Sequence, residues 1–86
     1  MAEERTPREL GPDGISRTAE AERILNGLFV AVFNNPEGKQ VLDYLRAYTL
    51  NRINGPEVSG RMLRHHEGMR FLFHVIAARI ERGIRQ

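Results

Sequence analysis

Residues 33–38 read FNNPEG, and this short stretch divides the helical part of the chain into two helices that fold back on each other. Pro36 restricts the residue before it to extended backbone, so the preceding helix must end at Asn34 or Asn35. Asn35 can then cap the next helix, with Pro36 at its first position and Glu37 near the positive end of its dipole. The stretch therefore predicts a helical hairpin with a turn of two or three residues.

Upstream of this turn, apolar residues at three- and four-residue steps predict a first helix that begins near residues 16–18. A serine or threonine hydroxyl at that point would cap the helix. The predicted core face consists of Ala21, Ile24, Leu25, Leu28 and Val32. Val30 and Phe33 lie away from that face, so the pattern leaves them without a partner inside the domain.

Downstream of the turn, the pattern predicts a second helix that ends in the stretch NRINGP at residues 51–56. Gly55 and Pro56 are the residues that break it. The apolar face of this helix consists of Val41, Leu42, Leu45, Tyr48 and Thr49.

A third and longer helix is predicted from about Ser59 to Arg82. Its heptad-like seam consists of Met62, His66, Met69, Phe73, Ile76 and Ile80. Helical geometry places a second apolar group opposite the seam, with an arginine at each side: Phe71, Val75 and Ala78, flanked by Arg64 and Arg82. This group either contacts a neighbouring helix of the same domain or forms the centre of a surface for a partner protein.

The first fifteen residues have no apolar periodicity and contain two prolines, two glycines and six charges. This composition predicts a flexible charged arm over residues 1–15, followed by a single helical domain over residues 16–86. No segment reads as a convincing strand. The predicted fold class is therefore all-α: a three-helix domain, built from the helical hairpin and the long third helix, with a flexible N-terminal arm.

Composition excludes several classes of protein. The chain has 86 residues and no cysteine, so it contains no disulfide, no thiolate metal site and no cysteine nucleophile. No apolar run approaches the roughly 20 residues of a membrane helix, so no membrane is predicted as a partner. The two halves of the chain differ in charge. Residues 1–38 carry four basic and seven acidic side chains and are net negative, whereas residues 39–86 carry nine basic and four acidic ones and are net positive.

The polar side chains predict no catalytic residue, no cofactor and no metal site. A zinc-binding helix needs a second histidine four residues after the first. His65 and His66 have none at that spacing, and the residue four positions after His66 is Arg70. His66 and His74 are expected to pack partly in the core. Ser16 and Ser59 stand where helix caps belong, and all eleven acidic residues are expected on surfaces or at helix starts. The chain is accordingly not expected to be an enzyme.

Nucleic-acid binding is the alternative that the arginines raise. The third helix and the residue beyond it supply Arg61, Arg64, Arg70, Arg79, Arg82 and Arg85. Arginine neutralises phosphates, and such binding would weaken steeply with salt. These arginines are spread around the helix rather than along one stripe. This arrangement favours arginines that are simply solvated, or that lie at the rim of a protein interface, over a phosphate-binding surface.

Two blocks in order resemble a small phage family. The first is Phe33-Asn34-Asn35-Pro36-Glu37-Gly38-Lys39-Gln40-Val41-Leu42, which fits the pattern F-x-x-P-[DE]-G-x-x-V-L. The second is Glu67-Gly68-Met69-Arg70, an E-G-x-R block that opens an apolar helix. The family is encoded near packaging and head–tail genes of podophages and related prophages. The resemblance covers roughly residues 22–82 and singles out Pro36, Gly38, Glu67, Gly68 and Arg70 as motif positions.

This resemblance implies a phage protein that binds phage structural proteins, the portal or a neighbour of it, or that forms a homo-oligomer. The expected role is a virion structural component or an assembly accessory, located in the virion or in the cytoplasm of the bacterial host. A nucleic-acid-binding regulator or DNA-packaging accessory is the alternative. The family lends no catalytic residue to this chain, and a local salt link is expected between Glu67 and Arg70.

Overall fold

Three helices and one two-stranded hairpin make up the computed structural model, which describes residues 7–50 and 59–86. Strand β1 spans Arg8–Leu10 and strand β2 spans Ser16–Thr18. Helix α1 spans Ala19–Phe33, α2 spans Pro36–Thr49 and α3 spans Gly60–Arg85. The predicted helical fold, with α1 and α2 as a helical hairpin and a long third helix, is confirmed. The residues predicted to end the second helix, Gly55 and Pro56, lie outside the described residues.

Each helix begins at a side-chain cap. Thr18 accepts a hydrogen bond from the backbone N–H of Ala21 at 3.1 Å and so caps α1. The side-chain Oδ1 of Asn35 accepts a hydrogen bond from the N–H of Gly38 at 2.7 Å, as predicted for α2. Ser59 caps α3 through Met62 at 3.2 Å. These caps satisfy amide groups that have no partner inside the helix.

The N-terminal hairpin contradicts the prediction that the chain contains no strand. β1 and β2 pair antiparallel, with Leu10 opposite Ser16 in the register. The turn between them is closed by a hydrogen bond from the N–H of Gly14 to the carbonyl of Gly11 at 2.9 Å, and Gly14 has a positive φ of 84°. Pro12-Asp13-Gly14 is a turn sequence that fits this geometry. The division into an arm over residues 1–15 and a domain over 16–86 stays a prediction, and residues 1–6 lie outside the description.

The side of helix α1 that faces the core is not the predicted one. Its buried side chains are Glu22 and Asn26, with Val30 half-buried on the same side. The predicted core residues Ile24, Leu28 and Val32 are 55%, 57% and 60% exposed. The pattern did not identify the inward face because α1 carries apolar residues on both sides. The ion pair between Glu22 and Arg79 of α3 determines which side is inward.

Helix α3 follows its predicted seam more closely. Phe73 is the fully buried apolar side chain of the described residues, at 2% exposure, and the guanidinium of Arg46 from α2 lies 5.1 Å from the centre of its ring. His66 is also buried, as predicted, whereas His74 is exposed and that prediction is wrong. Met62 is 48% exposed at the first position of the seam.

Two helical glycines mark places where backbones come close. A methyl group at Gly83 of α3 would lie 2.6 Å from the carbonyl oxygen of Asn26 on α1. A methyl group at Gly38 of α2 would collide with the carbonyl of Val32 and lie 2.6 Å from the Cα of Phe33. Both contacts involve backbone atoms, so any larger residue would force the helices apart.

Candidate protein-binding site

The centre of the molecule is a network of charges. Arg79 of α3 is 1% exposed and Glu22 of α1 is fully buried. One guanidinium nitrogen of Arg79 donates to Glu22 Oε1 at 2.6 Å and to Asn26 Oδ1 at 2.9 Å, and the other donates to Glu22 Oε2 at 3.2 Å. This two-pronged pairing joins the first and third helices across 57 residues of sequence.

The network continues into the N-terminal hairpin. Arg17 of β2 donates to Glu22 Oε2 at 2.9 Å and to Asp13 Oδ2 of the turn at 2.7 Å. Asp13 Oδ2 also lies 3.7 Å from Arg79. Arg82 donates to the carbonyl oxygen of Leu10 at 3.3 Å. The hairpin is therefore attached to α1 and α3 by charge-assisted hydrogen bonds rather than by an apolar core.

The chemistry of this network is that of a structural link. Hydrogen bonds from Arg79, and then from Arg17, hold the pKa of Glu22 below its usual value against the opposing effect of burial. The hydrogen bond from Arg17 likewise lowers the pKa of Asp13. Both oxygens of Glu22 are occupied by guanidinium donors, so this carboxylate stays ionised and is unsuited to take a proton from a substrate.

Among the predicted interface residues, the structure separates those that face solvent from those that do not. Phe71 is 57% exposed and Arg64 is exposed, as a surface for a partner requires. Val75 and Ala78 are half-buried. Arg82 is partly engaged inside the molecule through Leu10. The assignment of these five residues to an interface stays a prediction, and Phe71 is the exposed apolar residue among them.

Exposed apolar side chains extend well beyond Phe71. Leu72, its neighbour on α3, is 59% exposed, and Tyr44 on α2 is 66% exposed. Tyr44 stacks on Tyr48 with ring centres 6.1 Å apart. On α1 an open groove of about 240 Å³ has only apolar lining residues: Leu25, Leu28, Phe29, Val32 and Phe33. Apolar exposure on this scale is typical of interaction surfaces.

The motif positions have identifiable structural roles. Pro36 is the first residue of α2, and Gly38 is buried where α2 meets the end of α1. Glu67 Oε1 accepts a hydrogen bond from Arg70 at 3.0 Å, which confirms the predicted salt link. Gly68 is exposed, and apart from the adjacent backbone of α3 no atom of the described residues lies within 4 Å of the position that a methyl group would take.

No metal site or membrane helix emerges from the part of the chain that the structure describes. Residues 7–50 and 59–86 contain no group of three or more His, Asp or Glu side chains placed to hold a metal ion. Within the same residues, no helix has the length and apolar character needed to cross a bilayer.

Sequence reasoning missed the network itself. Glu22 was expected at a helix start and does lie in the first turn of α1, but its complete burial was not predicted. The available signal was the spacing of Glu22 and Asn26, two polar residues four apart on the same side of α1 as Val30. A second signal was Arg79, the one charged residue between Phe71 and Ile80.

Comparison with known proteins identifies a phage family. The family model described as Bbp19-like phage protein matches residues 29–83, which is more than half of the chain and contains both motif blocks. Searches of the curated proteins and of the solved structures returned no match. The match runs from the last five residues of α1 through α2 and nearly all of α3, and it leaves the N-terminal hairpin outside. The chain belongs to the family of Bbp19-like phage proteins.

Proposed function

We propose that this chain is a virion structural component or assembly accessory of a phage, that it acts by binding another phage protein, and that it has no enzymatic activity. The observation that carries the proposal is the exposed pair Phe71 and Leu72 on α3, at 57% and 59% exposure. Membership of a phage protein family supports a role in the phage particle or its assembly. The portal, or a protein next to it, is the proposed partner.

The charge around this pair fits an interface. Arg64 lies on the same helix and is exposed, and arginine is enriched at the edges and anchors of protein interfaces. Phe71 and Val75 are one turn apart, so their side chains are neighbours on the helix surface. Aromatic side chains of this kind carry a large share of binding energy when a partner buries them.

Binding to the portal tests the proposal directly. The purified chain should bind portal assemblies of the same phage, and Phe71→Asp should lower that affinity at least tenfold because it puts a charge into the apolar contact. Ile84→Asp is the matched control, since Ile84 is 58% exposed on the same helix but lies more than three turns away. Equal binding by both variants and the unchanged chain would exclude Phe71 from the interface.

Mass spectrometry of purified virions separates the two forms of the proposal. A structural component should be present at a fixed copy number per particle, and an assembly accessory should be present only in assembly intermediates. Absence from both, together with no affinity for the portal or its neighbours, would contradict the proposed function.

A nucleic-acid-binding role is the second candidate, and one observation favours it. Arg61, Arg64 and His65 are all exposed in the first turns of α3. Against it, Arg79 is buried in an ion pair and Arg70 is paired with Glu67, which removes two cations from any phosphate-binding stripe. Affinity for duplex DNA that falls steeply with salt would support this role, and no binding at low salt would exclude it.

A further inference from the structure

The outward face of α1 is apolar, uncharged and exposed. Ile24, Leu28 and Val32 follow one another at four-residue steps and are each more than half exposed. No ionisable residue occurs between residues 24 and 33. Contiguous exposed apolar side chains of this kind mark an interaction surface, so we expect this face to contact a partner.

The rest of the chain does not supply that partner in the described structure. Helix α1 meets α3 through its other face, where Glu22 and Asn26 bind Arg79 and Val30 lies against Gly83. The buried apolar part of the protein is small as well, since Phe73 is the fully buried apolar side chain of residues 7–50 and 59–86. A small domain with so little apolar burial gains stability from association.

The exposed face matches a second copy of itself. An antiparallel pair related by a two-fold axis at Leu28 places Leu28 against its counterpart and Ile24 against Val32 of the other copy. The equal four-residue spacing on both sides of Leu28 makes the face complementary to its own two-fold copy. Because residues 24–33 carry no charge, the pairing buries no ion. At the end of the face, Glu20 and Arg23 already form an ion pair with each other.

The available area is also that of a weak dimer. The face and the adjoining groove expose apolar surface on the order of 300 Å² per copy. Two copies would remove twice that apolar area from water, about 600 Å² in total. Stable interfaces bury about 1,200 Å² or more, so this area corresponds to a weak, micromolar dimer.

We propose that two copies of this chain form a homodimer in which α1 packs antiparallel against α1 through Ile24, Leu28 and Val32. The proposal concerns the purified chain alone, and it does not depend on the phage partner proposed above. Phe71 belongs to α3 and is not among the residues that this α1 contact buries. The two surfaces can therefore succeed or fail separately in experiment.

Sedimentation equilibrium of the full chain tests the dimer. The unchanged protein should shift from 9.9 kDa toward twice that mass as its concentration rises through the micromolar range. Leu28→Glu should raise the dissociation constant at least tenfold, because it places two carboxylates side by side on the two-fold axis. Leu72→Glu is the matched control, with the same change at a leucine of similar exposure on α3, and it should dimerise normally.

Either of two results would overturn the proposal. One is a monomer at all concentrations. The other is dissociation by Leu72→Glu with no effect of Leu28→Glu, which would place the interface on α3. Circular dichroism shows whether each variant keeps its helices.

Disulfide cross-linking provides a test that does not depend on a disruptive charge. The chain has no cysteine, so Leu28→Cys introduces a single thiol. A two-fold axis at this residue brings the two Cα atoms within the roughly 7 Å that a disulfide requires. Mild oxidation should link Leu28→Cys into covalent dimers much faster than Leu72→Cys, and equal rates would contradict the proposed packing.

Discussion

At the scale of single residues, Glu22 and Arg79 determine which side of α1 is inward. Both side chains are buried, and they meet through two hydrogen bonds of 2.6 and 3.2 Å. Removing one partner of such a pair leaves a charge buried without compensation, which costs far more than the pair as a whole contributes. A single substitution of Glu22 or Arg79 should therefore lower the stability of the protein strongly, whereas replacing both with apolar residues should lower it much less.

Arg79→Met should lower the free energy of unfolding by about 3 kcal/mol, because it leaves Glu22 Oε1 and Asn26 Oδ1 without their guanidinium donor while Arg17 still binds Glu22 Oε2. The double variant Glu22→Leu with Arg79→Met should recover most of that loss. Urea denaturation followed by circular dichroism measures both effects.

The control for this prediction is the exposed ion pair of Glu67 and Arg70 on α3. Glu67→Gln should change stability by no more than about 0.5 kcal/mol, since exposed pairs contribute little. A loss at Arg79→Met as small as that at Glu67→Gln would show that the buried network does not hold α1 and α3 together.

At the scale of elements, local chemistry explains what the sequence could predict. The caps Asn35 and Ser59 and the turn before Pro36 depend on residues within four positions of one another, and each was predictable. The orientation of α1 was not, because it depends on Arg79, which lies 57 residues from Glu22. Periodicity alone finds an apolar stripe, and α1 carries apolar residues on both sides.

The interface predicted on α3 was likewise predictable only where it depends on local sequence. Periodicity placed Phe71 opposite the seam, and the structure leaves it exposed. The same reasoning could not foresee that Arg82 would bind the carbonyl of Leu10, because that contact depends on the N-terminal hairpin. The hairpin itself was signalled by Pro12-Asp13-Gly14, although its strands are only three residues long.

Two glycines of α3 give a matched test of helix packing. Gly83→Ala should destabilise the protein, because the methyl group would lie 2.6 Å from the carbonyl oxygen of Asn26 and push α3 away from α1. Gly68→Ala should stabilise it by up to about 1 kcal/mol, since that site is open and alanine favours a helix.

Thermal unfolding of the two variants measures this difference. If Gly83→Ala were as stable as Gly68→Ala, the close approach of α1 and α3 would be incorrect. If Gly68→Ala weakened binding to the portal without loss of stability, a partner helix would contact the exposed surface at Gly68.

At the scale of the whole molecule, the charge network makes stability depend on pH. Glu22 and Asp13 both have a pKa below the usual value in the folded chain, because arginines hydrogen-bond to their charged forms. The unfolded chain binds protons at the ordinary pKa, about 4.5 for a glutamate. Their stabilising effect is therefore complete above that pH and is lost progressively as the pH falls through the lower, folded-state values.

The urea midpoint of the unchanged protein should accordingly fall as the pH drops below about 4.5. The double variant Glu22→Leu with Arg79→Met should lose less over the same range, because it lacks the buried carboxylate. Identical pH profiles for the two proteins would mean that folding does not change the pKa of Glu22.

The buried guanidinium also limits how the helices can slide. Apolar surfaces tolerate displacement by a helical turn, since one aliphatic side chain replaces another. A displacement of α3 by four residues would bring Val75 or Gly83 opposite Glu22, and neither has a side-chain donor for the carboxylate. Arg82, whose guanidinium lies 3.9 Å from Glu22 Oε1, is the other α3 guanidinium near this carboxylate in the described structure, and it already binds the carbonyl of Leu10. Insertion of four residues just before Arg79 should therefore destabilise the protein, because the longer α3 cannot keep both the Arg79–Glu22 pair and the contact of Phe73 with Arg46.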